Sequence, residues 1–430
     1  MMATARSVAV ETVRRVTDEG AYSSRLLPAL LQRSRLDPRD RALATELALG
    51  TLRHVPGLDR AIGLRASRPV GRMSPGARAA LRLGAYQLLF MRIPTHAAVS
   101  ASVDLATPRE RGFVNAILRR LADDPPEPPS GSADDDVSAR TGLVPWAVHE
   151  LRLLLGNDEA EVAAEAFGER GLLCLRANNC RTSVDALTHG LRASGHACQP
   201  ARLHPDCLLL DGGDPARLRG FAQGWFAVQD QASAFVVAAL DPQPGDHVFD
   251  ACAAPGGKAA HLACLVGETG TVVAGDIREE RAALIRETVD RLGVGDRVRL
   301  LAQDARRPAI DAVFDRVLVD APCSGIGSAR RRPELLWRPR RIELSPLARL
   351  QVQIASAACD RLRPGGRLVY SVCTFPRAET DAACDALVRH RPELDPVSID
   401  GPDGPAPRIR LWPHRHGSDG MFVAAFEKQR

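Results

Sequence analysis

DHVFDACAAPGGKAAHLACL (246–265) decides the fold. Its apolar start closes on Asp250 and reads as a buried strand over 246–250, and the segment 257–266 reads as a helix. Between them stand Gly256, Gly257 and Lys258. A strand that turns through paired glycines straight into a helix is the βα unit of an open α/β sheet. The glycines allow close backbone approach, and the new helix offers free N–H groups to an anion or carboxylate. The spacing is not G-x-G-x-x-G, so a dinucleotide is not favoured.

Further strands are predicted at 271–275, 297–301, 315–319, 366–371 and 421–426, with helices near 279–292, 346–362 and 378–390. This alternation predicts a doubly wound, mainly parallel sheet. Ligands of such sheets bind beyond the carboxyl ends of the strands. Four acids fall there, Asp250, Asp276, Asp304 and Asp320, and Asp276 stands where a second-strand acid bonds ribose hydroxyls. Two cysteines fall there as well: Cys323 in DAPCSGIG (320–327) and Cys373 in YSVCTF (370–375). A thiol is a strong nucleophile only as its thiolate. A pair of them beside a cofactor turn points to covalent chemistry on an electrophilic ring carbon.

The 430-residue chain has room for two or three domains. Residues 1–125 follow a helical period almost throughout, and 126–136 is a linker rich in Pro, Gly, Ser and acid. Short strands near 172–177, 206–211 and 225–228, with helices at 143–167 and 183–193, predict a small α+β subdomain over 137–228. The Rossmann-like α/β domain is expected over 229–430. The architecture expected is therefore multidomain: an all-α bundle, an α+β subdomain and a doubly wound sheet.

Charge is uneven. Residues 1–125 hold 20 Arg against 11 Asp plus Glu, a net of +9, which leaves −4 for the rest of a chain of net +5. Such a basic helical domain suits a polyanion, most simply nucleic acid, although a solvated arginine-rich surface has the same composition. Lysine occurs only at Lys258 and Lys428, which sets Lys258 apart from random surface charge. All ten cysteines lie from Cys174 onward and none forms a C-x-x-C pair, so neither a metal nor a disulfide framework is expected. Most, Cys264 among them, read as small buried apolar residues. No apolar run spans a bilayer, and MMATARSVAVETVRR lacks a signal-peptide core, so a cytoplasmic monomer is expected.

These motifs strongly resemble the RNA (cytosine-5) methyltransferases. DACAAPGGK looks like the family's first cofactor motif, DAPCSGIG its fourth and YSVCTF its sixth. RRRPELLWR (330–338) and DGMFVAAFEK (419–428) resemble its later loop and closing strand. LRLGAYQLLF, IPTHAAV and GFVNAILRRL (81–120) are similar to NusB, a helical domain appended in the branch that acts on 16S ribosomal RNA. The resemblance implies that S-adenosylmethionine lies against Cys252, Ala253, Ala254, Pro255, Gly256, Gly257 and Lys258. Asp276 would then hold the ribose, Asp304 would lie near the adenine, and Asp320 would stand nearby. It implies Cys373 as the nucleophile at cytosine C6, Cys323 as the group assisting release, and Asp320 at the cytosine edge. Arg330, Arg331, Arg332 and Arg338 would meet phosphates, with Trp337 packing or stacking. Two rivals remain at this stage. In a DNA cytosine-5 methyltransferase the attacking thiol would be Cys323, and a ribosome-assembly RNA binder would need no catalysis at all.

Overall fold

The computed structural model describes residues 3–430; the first two residues of the predicted 1–125 domain lie outside them. The chain divides into two compact units. One runs to Arg170 and includes Ala329–Pro339, and the other holds Gly171–Ser328 and Arg340–Arg430.

The second unit is built on β1 (His247–Asp250), β2 (Thr271–Asp276), β3 (Val298–Ala302), β4 (Phe314–Asp320), β5 (Leu362–Val372), β6 (Leu394–Val397), β7 (Arg408–Leu411) and β8 (Met421–Lys428). Five strands run parallel in the order β3-β2-β1-β4-β5. β8 adds antiparallel to β5, and β6 and β7 both pair with β8. The order of the parallel strands reverses between β1 and β4, which opens a crevice at their carboxyl ends.

Five helices cover the sheet: α1 (Gln231–Leu240), α2 (Gly257–Leu265), α3 (Glu279–Leu292), α4 (Arg341–Cys359) and α5 (Asp381–His390). Side chains alternate along each strand, as a period of two requires. Val248, Leu318 and Val369 join the core under α1, α2 and α3, while Phe249, Val317, Val319, Leu368 and Tyr370 join the one under α4 and α5. Both faces of the parallel strands are therefore covered, which is why they read as continuous apolar runs.

A small antiparallel sheet around Leu173–Ala177, Cys207–Leu210 and Phe226–Val228, with the helix Val184–Ala193, forms the expected α+β part. Cys180 in this part forms a disulfide with Cys264 of α2, Cα to Cα 5.8 Å. That corrects the expectation of no disulfide. The partners are 84 residues apart, and only the fold brings them together.

In the first unit the helices Ala5–Asp18, Ser23–Arg33, Pro38–Arg53, Val55–Arg65, Pro75–Phe90, Thr95–Val103 and Arg111–Asp123 form the predicted bundle. Asp37 caps Pro38–Arg53 by accepting the Asp40 N–H at 2.8 Å. The unit does not stop at 125. Asp134–Thr141, Pro145–Leu155 and Asn157–Gly168 belong to it, not to the α+β part where the sequence reading put residues from 137. Their apolar side chains Val137, Leu143, Ala147, Val148 and Leu151 are fully buried. The proline-rich linker is tied down as well: Arg140 donates to the carbonyls of Pro129 (3.0 Å) and Gly131 (2.6 Å).

The segment Ala329–Pro339 packs inside this unit. Ser23 donates its N–H and hydroxyl to the buried Glu334 carboxylate at 3.1 and 2.6 Å. Trp337 Nε1 donates to the Leu52 carbonyl at 2.8 Å, and Val144 N–H to that of Leu336 at 2.8 Å. Arg338, expected to meet RNA phosphates, instead gives its donors to the carbonyls of Val16 (2.8 Å), Ala21 (2.7 Å) and Gly20 (3.3 Å) at the end of the first helix. Glu334→Ala would leave the Ser23 donors unsatisfied. It should destabilise the protein by about 1–3 kcal/mol, the scale of an orphaned buried hydrogen-bonding group. An unchanged midpoint in thermal unfolding would show that the segment is not held by this carboxylate.

Candidate active site

The glycine turn sits at the reversal point of the sheet. Ala251 N–H donates to Leu318 O of β4 at 2.9 Å, and Ala253 N–H to Gly275 O of β2 at 2.8 Å, so the turn is stitched to the strands on both sides. Gly256 then reverses the chain at φ +103°. A Cβ there would lie 3.0 Å from the Ile285 Cα of α3, so the turn needs glycine for both conformation and space.

From the first turn of α2, Lys258 Nζ donates to Asp320 Oδ2 at 2.6 Å, and the Ser371 hydroxyl donates to Asp320 Oδ1 at 2.8 Å. Burial disfavours the Lys258 ammonium, but attraction to Asp320 and the hydrogen bond to it outweigh that cost and raise its pKa overall. Asp250 is fully buried, and no side chain among the described residues hydrogen-bonds its carboxylate. Burial first, and then repulsion from Asp320, push it up to about 7, against the Lys258 charge and the Cys252 backbone N–H, which favour its ionised form. Asp276, 4% exposed at the end of β2, is faced by Arg281 Nε at 3.5 Å. Asp304, just past β3, holds Arg306 in a two-pronged contact (3.0 and 2.6 Å) and lines a cavity of about 600 Å³ with Arg307, Ser356 and His390.

The cysteines meet because of strand register. Asp320 of β4 and Ser371 of β5 are Cα partners, so Cys323 and Cys373 follow by three and two residues. The pairing continues past the strands: Ala321 N–H donates to Ser371 O at 2.9 Å, and Gly327 N–H to Cys373 O at 3.0 Å. The two Sγ atoms are 3.5 Å apart. A Cβ on Gly327 would lie 2.0 Å from the Gly420 carbonyl, so the DAPCSGIG loop closes against DGMF only with glycine there. The hydrogen bond with Cys373, then burial, then the charges of Glu379 and Asp320 push the Cys323 thiol well up, which keeps it protonated at neutral pH.

The structure thus gathers Cys323, Cys373, Asp320, Lys258, Asp276 and the 252–258 turn along one sheet edge. It assigns Arg330, Arg331, Arg332 and Arg338 to the segment held in the other unit. Sequence reasoning did not single out Ser371 or Glu379, both buried, although RAETD (377–381), which holds Glu379, loosely resembles the family's acidic stretch after its sixth motif. A metal was not expected. Among the described residues one potential ligand group, His204, Asp206 and His261, lies with its donor atoms within 4.8 Å of one another and shares no residue with this edge. No helix among those residues is long and apolar enough to cross a membrane.

Comparison with known proteins matches residues 237–427 to the family 16S rRNA methyltransferase RsmB/F and residues 3–123 to the NusB family. Ribosomal RNA small subunit methyltransferase B of Erwinia tasmaniensis is 34% identical, covering 100% of this chain and 99% of its own. The protein of the same name from Vibrio cholerae is 35% identical, covering 99% and 97%. The chain belongs to this family. Among solved structures, PH0851 superposes with a TM-score of 0.88 at 26% identity over the whole of both chains. A methyltransferase homologue from Pyrococcus horikoshii gives 0.59 at 28% identity, covering 68% of this chain and 98% of its own.

The family's members methylate, which requires a seat for a methyl donor. The Gly256 turn and the buried Asp250, whose carboxylate oxygens no side chain among the described residues satisfies, fit the polar end of such a group. In the protein alone, Asp250 titrates at about 7 against 3.8 for an ordinary aspartate. Its folded form therefore keeps a proton that the unfolded form loses between those values. The associated stability is fully present below the lower pKa and is lost as pH rises through the higher one. Asp250→Asn should accordingly gain stability on the wild type as pH is raised from 4 to 8. Denaturation curves that shift in parallel for the two proteins would place this carboxyl in an ordinary environment.

Proposed function

We propose that this family member transfers the methyl group of S-adenosylmethionine to C5 of a cytosine in 16S ribosomal RNA through a transient bond from Cys373 to C6. The observation that carries the reading is the pair of sulfurs 3.5 Å apart beside the Lys258–Asp320 ion pair.

Cytosine C5 is a poor nucleophile. Attack of the Cys373 thiolate on C6 moves the C5–C6 π electrons into an enamine, with a proton accepted at N3 from the Asp320–Lys258 pair. C5 then displaces the methyl group from the sulfonium, which leaves as a thioether. Loss of the C5 proton to water and return of the N3 proton to the Asp320–Lys258 pair re-form the double bond and expel Cys373 as its thiolate. An unperturbed thiol near pKa ~8.5 is only a few per cent ionised at neutral pH, so the ammonium of Lys258 is needed near the attacking sulfur. Cys323, held as a thiol, serves the release step by giving its proton to the leaving Cys373 sulfur 3.5 Å away. The base must leave its stack to expose C6, which favours an unpaired or flipped cytosine. The 252–258 turn and Asp250 would receive the methionine part of the donor, Asp276 the ribose, and Asp304, once Arg306 yields, the adenine. Arg330, Arg331 and Arg332 would serve RNA phosphates.

Cys373→Ala should abolish methyl transfer to small-subunit RNA while the donor still binds in calorimetry. Cys323→Ala should instead accumulate a denaturation-resistant protein–RNA adduct when the donor is present. Turnover by the first variant, or no adduct with the second, would exclude this division of labour. Asp276→Ala should weaken donor affinity by about 1–3 kcal/mol, the scale of a lost charge-assisted hydrogen bond. Unchanged affinity would place the ribose elsewhere.

A further inference from the structure

Glu379 lies in the short turn before α5 and is 0% exposed. A buried carboxylate must find donors, and the donors here come from the residues that follow the two cysteines. Ser324, next to Cys323, gives its backbone N–H to Glu379 Oε1 at 2.9 Å and its hydroxyl to Oε2 at 2.6 Å. Thr374, next to Cys373 and 1% exposed, donates to the Ser324 hydroxyl at 2.7 Å, since that hydroxyl gives its own proton to Glu379. Gln351 of α4 donates from one amide to Glu379 Oε1 (2.9 Å) and to the Pro322 carbonyl just before Cys323 (3.0 Å). Tyr370 of β5 reaches the Glu379 carbonyl at 2.7 Å, which fixes the turn itself.

The Cys323 loop is thus fastened to the carboxylate directly by Ser324, and the Cys373 loop is fastened to it through the Thr374–Ser324 bond. We propose that Glu379 is a positioning residue that couples the two cysteine loops and sets the separation of their sulfurs. The inference rests on the reading above for what that separation serves, since release by Cys323 requires its thiol to stay against Cys373. The geometric claim can be tested without catalysis. Neither sulfur hydrogen-bonds Glu379, and loss of its charge would ease ionisation of Cys323 and so speed alkylation, which means that slower bridging reads separation and not reactivity.

The experiment compares the wild-type full-length chain with Glu379→Gln, which keeps the volume but turns an amide donor toward groups that must donate. The first measurement uses no RNA and no methyl donor. A short bifunctional alkylating reagent is added, and the Cys323–Cys373 bridge is followed by peptide mass mapping. Closing the bridge is an intramolecular step whose rate follows the effective concentration of the second thiol. The bridge should close about tenfold more slowly in the variant, the scale of one lost charge-assisted contact. The second measurement is methyl transfer: kcat should fall with the KM for S-adenosylmethionine unchanged, and adduct should accumulate as in Cys323→Ala. Should Glu379→Gln not fold, Ser324→Ala removes one hydroxyl of the bridge and should shift both readouts in the same direction. Bridging at the wild-type rate overturns the proposal, as does a fall in kcat matched by an equal rise in KM. Wild-type bridging that responds to Glu379 in a protein that methylates no RNA would refute the functional reading and leave the positioning role standing.

Discussion

The register of β4 against β5 is the constraint on which the rest of this edge depends. Parallel strands paired Asp320 to Ser371 must deliver the next residues of both chains to the same side of the crevice. Two hydrogen bonds beyond the strands, at Ala321 and Gly327, carry that alignment into the loops, so the loops hold position as extensions of the sheet. A one-residue slip would turn every alternate side chain of β5 to the other face. The fully buried Val369 and Tyr370, each committed to a different core, make such a slip expensive.

The electrostatics follow from the same alignment. Three strand ends bring Asp250, Asp276 and Asp320 close enough to repel one another, and all three influence the Cys252 thiol in the turn. The Arg281 guanidinium faces Asp276, and the Lys258 ammonium answers Asp320 and Asp250. Lysine suits this position where arginine, used almost everywhere else in the chain, would not: its charge is compact and can approach one carboxylate oxygen to 2.6 Å from the first turn of a helix. Asp250, buried and without a side-chain donor, bears the cost of the cluster as a raised pKa.

Much of this was legible in the sequence because it depends on local rules. Apolar runs ending in acids gave β1, β2 and β4, and paired glycines followed by a helical run gave the turn into α2. Cysteines that close apolar runs lie at strand ends by the same logic. What could not be read is non-local. The return of Ala329–Pro339 to the helical unit depends on Ser23, Leu52 and Val144, hundreds of residues away, and an arginine-rich string looks the same whether it meets phosphates or carbonyls. The helices up to Arg170 have ordinary amphipathic patterns, which say that a face is buried but not against what. The Cys180–Cys264 bond belongs to the same class.

Glu379 shows why buried polar residues are the hardest to read. A glutamate near a helix start is an ordinary N-terminal residue in sequence terms. Burial raises its pKa, and the Ser324 donors oppose that rise, so the carboxyl is tuned by groups contributed from another strand. Its charge in turn discourages ionisation of Cys323, while the Lys258 ammonium also feels Cys373. Cys323 thus lies within the negative fields of Glu379 and Asp320, and Lys258 interacts electrostatically with Cys373. Two identical side chains can acquire different proton affinities only from the residues around them.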